Sequence, residues 1–145
     1  MITIKMMIKK IVCVVVLVMI SAISFGQELK CKKFKTGTFI IPGDSIVPQS
    51  TLKRNKTSQF ESISAKVFMD LDITWTDDCN YVLTIKEGTP EEDISEVEKL
   101  IEEGGGLRIQ MLKTVKDTMY FRAIATIKGT DYPTDGKQIK ISKKY

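Results

Sequence analysis

From Gly37 onward, apolar and polar residues alternate with a period of two, most clearly between Lys66 and Thr76. Val67, Met69, Leu71, Ile73 and Trp75 fall on one side; Lys66, Asp70, Asp72, Thr74 and Thr76 fall on the other, with Phe68 the exception. Successive side chains of a strand point to opposite faces of a sheet. This pattern therefore predicts a strand with one face buried and one wet. Asp77-Asp78-Cys79-Asn80 supplies turn chemistry, and alternation resumes with Tyr81, Leu83 and Ile85, so the two runs predict a hairpin.

The same reading extends along the chain. Thr36 to Ile41 predicts a short strand that stops at Pro42-Gly43-Asp44. Thr51 to Arg54 and Ser58 to Ile63 predict a polar pair around Asn55-Lys56, of the kind found at sheet edges. Leu107, Ile109 and Met111 share a face, Lys116-Asp117 makes a tight turn, and Met119, Phe121, Ala123, Ala125 and Ile127 share the next face. Asp131 to Gly136 reads as a loop. Lys137 to Lys143 reads as a last strand with Ile139 and Ile141 inward.

One helix is expected, at about 90–103. Thr89-Pro90-Glu91-Glu92 has the form of a capping box with proline in the first helical position, Ile94, Val97, Leu100 and Ile101 form an apolar stripe, and Gly104-Gly105-Gly106 ends it. The sum predicts a mainly β fold. An antiparallel meander of about 7–8 strands curls into a small barrel or half-barrel with one helix, and a two-sheet sandwich is the alternative.

The N-terminus has a different pattern. Lys5, Lys9 and Lys10 precede an apolar run from Ile11 that weakens towards Phe25, and Ser24 and Gly26 are small residues placed for cleavage before Gln27. This is the layout of a cleavable signal peptide over 1–26. As a helix, Ile11 to Phe25 would span about 22 Å, short of the ~30 Å core of a bilayer. Cys31 follows Glu28-Leu29-Lys30, the wrong context for a lipid anchor, and Cys13 leaves with the leader. The expected mature chain is one domain, 27–145, without a permanent membrane anchor, exported to the periplasm or secreted. It carries 19 basic and 18 acidic residues, a balance that gives no basic field for nucleic acid.

Cys31 and Cys79 remain after export. An oxidising compartment favours their pairing, and the chain contains no histidine to complete a zinc site with them. The absence of histidine also removes the triads that use it, so catalysis would rest on carboxylates, lysines, tyrosines or a thiol. Asp70 and Asp72 lie on one strand face at a spacing that suits a sugar or calcium ion, and suits any solvated face equally. The acidic helix surface and the Lys143-Lys144-Tyr145 tail read as solvated, and Trp75 as core. No cofactor, metal or catalytic residue is assigned.

The stretch from Cys31 to Phe39, Cys-Lys-Lys-Phe-Lys-Thr-Gly-Thr-Phe, resembles the opening of a group of small exported proteins from flavobacterial-type bacteria. Arg54, Asn55, Gln59 and Glu61 match a second segment of that group, and Trp75, Cys79, Tyr81 and Leu83 a third. The resemblance covers the first half of the mature chain and implies a compact exported β domain, with no activity to transfer. Some members carry a topoisomerase label, for which a chain this short has no room. The candidate ligand-binding residues are Arg54, Gln59, Glu61, Trp75 and Tyr81, with Arg54 and Glu61 able to pair across the polar hairpin. The expected function is non-enzymatic: a small apolar ligand held in a lipocalin-like interior. The alternative is a cell-envelope protein acting through protein–protein contacts.

Overall fold

The computed structural model describes residues 28–144 apart from 65 and 66. The leader, its cut before Gln27, Cys13, Lys66 and Tyr145 lie outside the described residues. A 3-10 turn, Cys31–Phe34, comes first. Eight strands follow: β1 Gly37–Ile41, β2 Ser50–Arg54, β3 Ser58–Ser64, β4 Val67–Trp75, β5 Asn80–Ile85, β6 Leu107–Val115, β7 Thr118–Ile127 and β8 Thr130–Ser142. Each pairs antiparallel with its sequence neighbours, and β8 closes on β1, so the meander is a closed barrel and not a sandwich. The helix α1, Glu96–Glu103, stands between β5 and β6.

The turns form as their residues require. Asn55 Oδ1 accepts from the Thr57 and Ser58 N–H groups at 2.9 and 2.8 Å, which reverses the chain between β2 and β3. Asp77 Oδ1 accepts from Cys79 N–H at 2.7 Å between β4 and β5. Lys116 takes φ +52° in the β6–β7 turn, and Lys128 and Gly129 take +50° and +80° between β7 and β8, the left-handed geometry that matches strand twist.

Inward residues of the strands form one core, with Phe39, Leu52, Leu71, Ile73, Tyr81, Leu83, Ile109, Met111, Met119 and Phe121 all buried. The 3-10 turn plugs one end, burying Phe34 and Cys31. Cys31 is disulfide-bonded to Cys79 in the β4–β5 turn, with Cα atoms 5.1 Å apart. The opposite end, at the tops of β4, β5 and β6, is the mouth.

Four expectations are corrected. Asp131 to Gly136 is strand, not loop, because the tight Lys128-Gly129 turn starts β8 at once, in register from Ile127–Thr130 to Thr118–Ile139. β8 meets β1 only from Ile139 on, so Pro133 lies on a stretch with a free side, where a missing N–H is tolerated. That register turns Gln138 inward and leaves Ile141 57% exposed, the reverse of the expected facing. Gly136 lies opposite Phe121, and a Cβ there would fall 2.6 Å from the phenyl ring, so only glycine leaves the ring its place.

The polar strands β2 and β3 are not edges. Both are paired on two sides, and Ser50, Arg54 and Gln59 on them are buried in the interior. The helix also starts later than expected. Thr89 Oγ1 donates to the Lys86 carbonyl, Glu91–Asp93 is a 3-10 turn, and Ile94 is extended (φ −104°, ψ 118°). The capping box is Ser95 with Glu98: Glu98 N–H donates to Ser95 Oγ and Ser95 N–H to Glu98 Oε2. An extended Ile94 carries the chain back onto the barrel before α1 begins.

The disulfide closes a loop of 48 residues between plug and turn. Chain entropy assigns such a link about 4 kcal/mol. Replacing Cys31 and Cys79 together by serine is expected to lower unfolding stability by up to that amount, read from urea unfolding midpoints.

Candidate functional site

The barrel interior has a polar layer near the plug and an apolar layer near the mouth. Arg54, at the end of β2, is the centre of the first and is fully buried. Its Nε donates to Gln59 Oε1 at 2.8 Å, Nη1 to the Phe34 carbonyl at 3.0 Å and Nη2 to Gln138 Oε1 at 2.9 Å. Its Cζ lies 4.9 Å from the ring centroids of both Phe39 and Tyr81, so the planar cation is held between two aromatic faces. These contacts reach the plug and strands β1, β2, β3, β5 and β8.

All three acceptors are neutral, so the cation is solvated by dipoles and π faces, and among the described residues no carboxylate forms an ion pair with it. Burial pushes the Arg54 guanidinium below its usual value, and the Tyr81 and Glu61 groups pull it partly back. The Tyr81 hydroxyl is buried beside Gln138 without a hydrogen bond of good geometry, and burial pushes its ionisation up.

Glu61 lies one layer towards the mouth, opposite Leu52 on β2 and Met69 on β4. The expected Arg54–Glu61 cross-strand pair does not form, because Arg54 pairs with Gln59 in the register. Burial pushes the Glu61 carboxyl up, while a hydrogen bond with Ser50 and the Arg54 charge draw it back. Trp75 stays at the plug end. Its indole N–H donates to the Lys56 carbonyl at 2.9 Å, its ring lies 4.6 Å from that of Tyr81, and Lys35 Nζ lies 4.6 Å above it. Arg54, Gln59 and Tyr81 are thus brought together, Trp75 packs beneath them, and Glu61 faces the space above. Asp70 and Asp72 lie on the outer face, with Asp70 paired to Lys86 at 2.9 Å. They do not share a cleft with Glu61, and among the described residues no three His, Cys, Asp or Glu side chains converge to hold a metal.

The mouth is lined mainly by apolar side chains, with Asp70, Asp93, Glu98 and Glu102 at its edge. Met69, Leu71, Leu83 and Leu107 on the rim face Ile101 of α1 across a crevice of about 60 Å³. It adjoins a wider cleft of about 490 Å³ that also touches Ile85, Pro90, Ile94, Phe60 and Phe68. Two contacts fix the helix over this opening. Glu102 Oε2 accepts from Ile85 N–H at 3.0 Å, and Gly104 lies so close to Thr126 that a Cβ would overlap its carbonyl oxygen. No residue of α1 is fully buried, and Val97, expected on its apolar stripe, is 60% exposed. Phe68 lies on the outer wall, 54% exposed and stacked on Phe60 with centroids 5.6 Å apart.

Sequence reading missed Gln138, Phe34 and Ser50 as partners of this interior. Gln138 shares its strand parity with Gly136, the residue that yields to Phe121, and that glycine was the available signal. Compared with known proteins, the chain matches no family model, no curated protein and no solved structure.

Arg54→Met would leave Gln59, Gln138 and the Phe34 carbonyl buried without donors. A loss of about 3 kcal/mol is expected, again from urea unfolding, with Arg54→Lys restoring only part because it lacks the planar fork. Glu61 has the opposite sense. Its folded-state pKa lies above the unfolded one, so it holds its proton more tightly when folded, and its contribution to stability falls as pH rises through that window. Glu61→Gln is expected to match the wild type at acid pH and exceed it in stability at pH ~7, measured as melting temperature against pH.

Proposed function

We propose that this chain is a non-enzymatic exported protein that carries a small apolar ligand at the barrel mouth, beneath α1. The observation that carries this reading is the asymmetry of the interior. The plug end is filled by Phe34, Phe39, Arg54 and Tyr81, whereas the mouth keeps an apolar crevice under a helix that buries none of its residues completely. A concave apolar site with a few polar groups at its edge is the usual form of a small-molecule pocket. Glu61 and Ser50 would be that polar edge. In this lipocalin-like arrangement, Arg54, Gln59, Tyr81 and Trp75 form the rigid floor on which the site stands. The Cys31–Cys79 disulfide supports export to an oxidising space, periplasmic or extracellular. Among the described residues no helix is long and apolar enough to cross a membrane.

A second reading, a cell-envelope protein acting by protein contact, draws on the exposed Phe60–Phe68 pair. Titration with the neutral dye Nile red separates the two. Saturable binding is expected, and Ile94→Asp should weaken it at least tenfold, since removing one apolar wall residue costs about 2 kcal/mol. Val97→Asp, on the exposed side of α1, should leave it unchanged. Absence of saturable binding, or equal binding by Ile94→Asp, would favour the contact reading.

A further inference from the structure

The fold distributes charge unevenly between the two ends. The mouth end carries Glu91, Glu92, Asp93, Glu96 and Glu103, all exposed, against Lys99 on the helix, Lys86, which pairs with Asp70, and Lys128 in the β7–β8 turn. The plug end carries Lys30, Lys32, Lys33, Lys116, Lys143 and Lys144, also all exposed. They are neighbours in space. Lys33 Nζ donates to the Lys116 carbonyl at 2.8 Å, Thr38 Oγ1 to the Lys144 carbonyl at 2.6 Å, and Lys30 N–H to Thr114 Oγ1 at 3.0 Å. Lys30, Lys33 and Lys116 line one open groove of about 370 Å³ together with Glu28. Acids at this end are fewer than the lysines: Asp117 pairs with Lys33, Asp78 with Lys32 and Lys35, Asp77 is taken up by the β4–β5 turn, and Glu28 lies in the groove.

The two ends do not cancel. β6 has nine residues, so at ~3.3 Å each the wall is about 30 Å long, or about 20 Å along the axis when tilted by ~40°. That is more than twice the ~8 Å over which salt screens charge. Burial, then the Lys33 and Lys143 charges, push the Lys140 ammonium below its usual value. Apolar side chains also stand among these lysines on the outer face of β6, β7 and β8: Val115 at 39%, Tyr120 at 40%, Leu112 at 44% and Ile141 at 57% exposure.

We infer that the plug end docks on an anionic lipid surface, its lysines on headgroup phosphates and its exposed apolar residues in the interface, with the acidic mouth turned away. Basic residues attract such a surface, and interleaved apolar and aromatic side chains settle at headgroup depth. A soluble polyanion would use the lysines and leave the apolar residues in water, which favours lipid.

The test is co-sedimentation of the chain from Glu28 onward, whose described residues close into a complete barrel, with phosphatidylcholine vesicles with and without phosphatidylglycerol. Binding is expected only with the anionic lipid, and should be lost at high salt. Replacing Lys30, Lys143 and Lys144 together by glutamate should weaken it roughly a hundredfold, at about fivefold per lysine. None of these three side chains holds a contact within the barrel, and near-ultraviolet circular dichroism checks that the variant is folded. Trp75, the single tryptophan, lies at the plug end, so brominated lipid should quench its emission. Equal binding to neutral vesicles, no binding, or an unquenched Trp75 in bound protein would overturn the inference. So would tighter binding to heparin or single-stranded DNA than to the anionic vesicles.

Discussion

The structure is organised around a buried cation with no ion-pair contact among the described residues. Arg54 sits inside an eight-stranded barrel with its charge spread over three neutral acceptors and two aromatic faces. A buried charge is tolerated only when its surroundings replace the lost water, and here that replacement requires the plug, β2, β3 and β8 to be in place together. Closing the barrel between β1 and β8 and seating the plug therefore both complete the surroundings of Arg54. Gln138 brings the last strand to Arg54, and the Phe34 carbonyl brings the first turn. The Cys31–Cys79 link adds a covalent hold on the same plug.

A rigid floor of this kind leaves the other end free to differ. Polar contacts are concentrated near the plug, whereas the mouth is lined by Met69, Leu71, Leu83 and Leu107 beneath a helix held by its C-terminal half. Glu61 stands between the two layers, half-buried, with a carboxyl that burial makes reluctant to ionise. The proposed ligand site and the proposed membrane face thus occupy opposite ends of one short cylinder. A molecule docked by its plug would present its mouth to the solvent, and the acidic helix end would reinforce that orientation by repulsion.

The strands and hairpins were legible because alternation is a local property, and turn residues such as Asn55, Asp77 and Lys116-Asp117 act within a few positions. The helix starts later than its first signal suggests because two successive signals, Thr89–Glu92 and Ser95–Glu98, compete for one cap. The need to bring Ile94 back to the barrel rim decides between them. The polarity of β2 and β3 was visible, but its meaning was not. Arg54 and Gln59 look like surface residues until a strand far along the chain supplies Gln138. On β8, Ile139 and Ile141 offered the apolar face that a lone strand would bury, yet the register with β7 turns Gln138 inward and sends Ile141 out.

By itself the sequence determined the strand pattern, the mainly β class, the expected leader and the two cysteines that an oxidising space joins. These depend on neighbours in the chain and on composition. Tertiary structure alone decided that the sheet closes, that Arg54 is an interior cation and that exposed lysines gather around the plug while the helix end is acidic. Each of these depends on which distant strands meet and in what register, because barrel closure assigns every side chain at once to the inside or the outside, and to one end or the other.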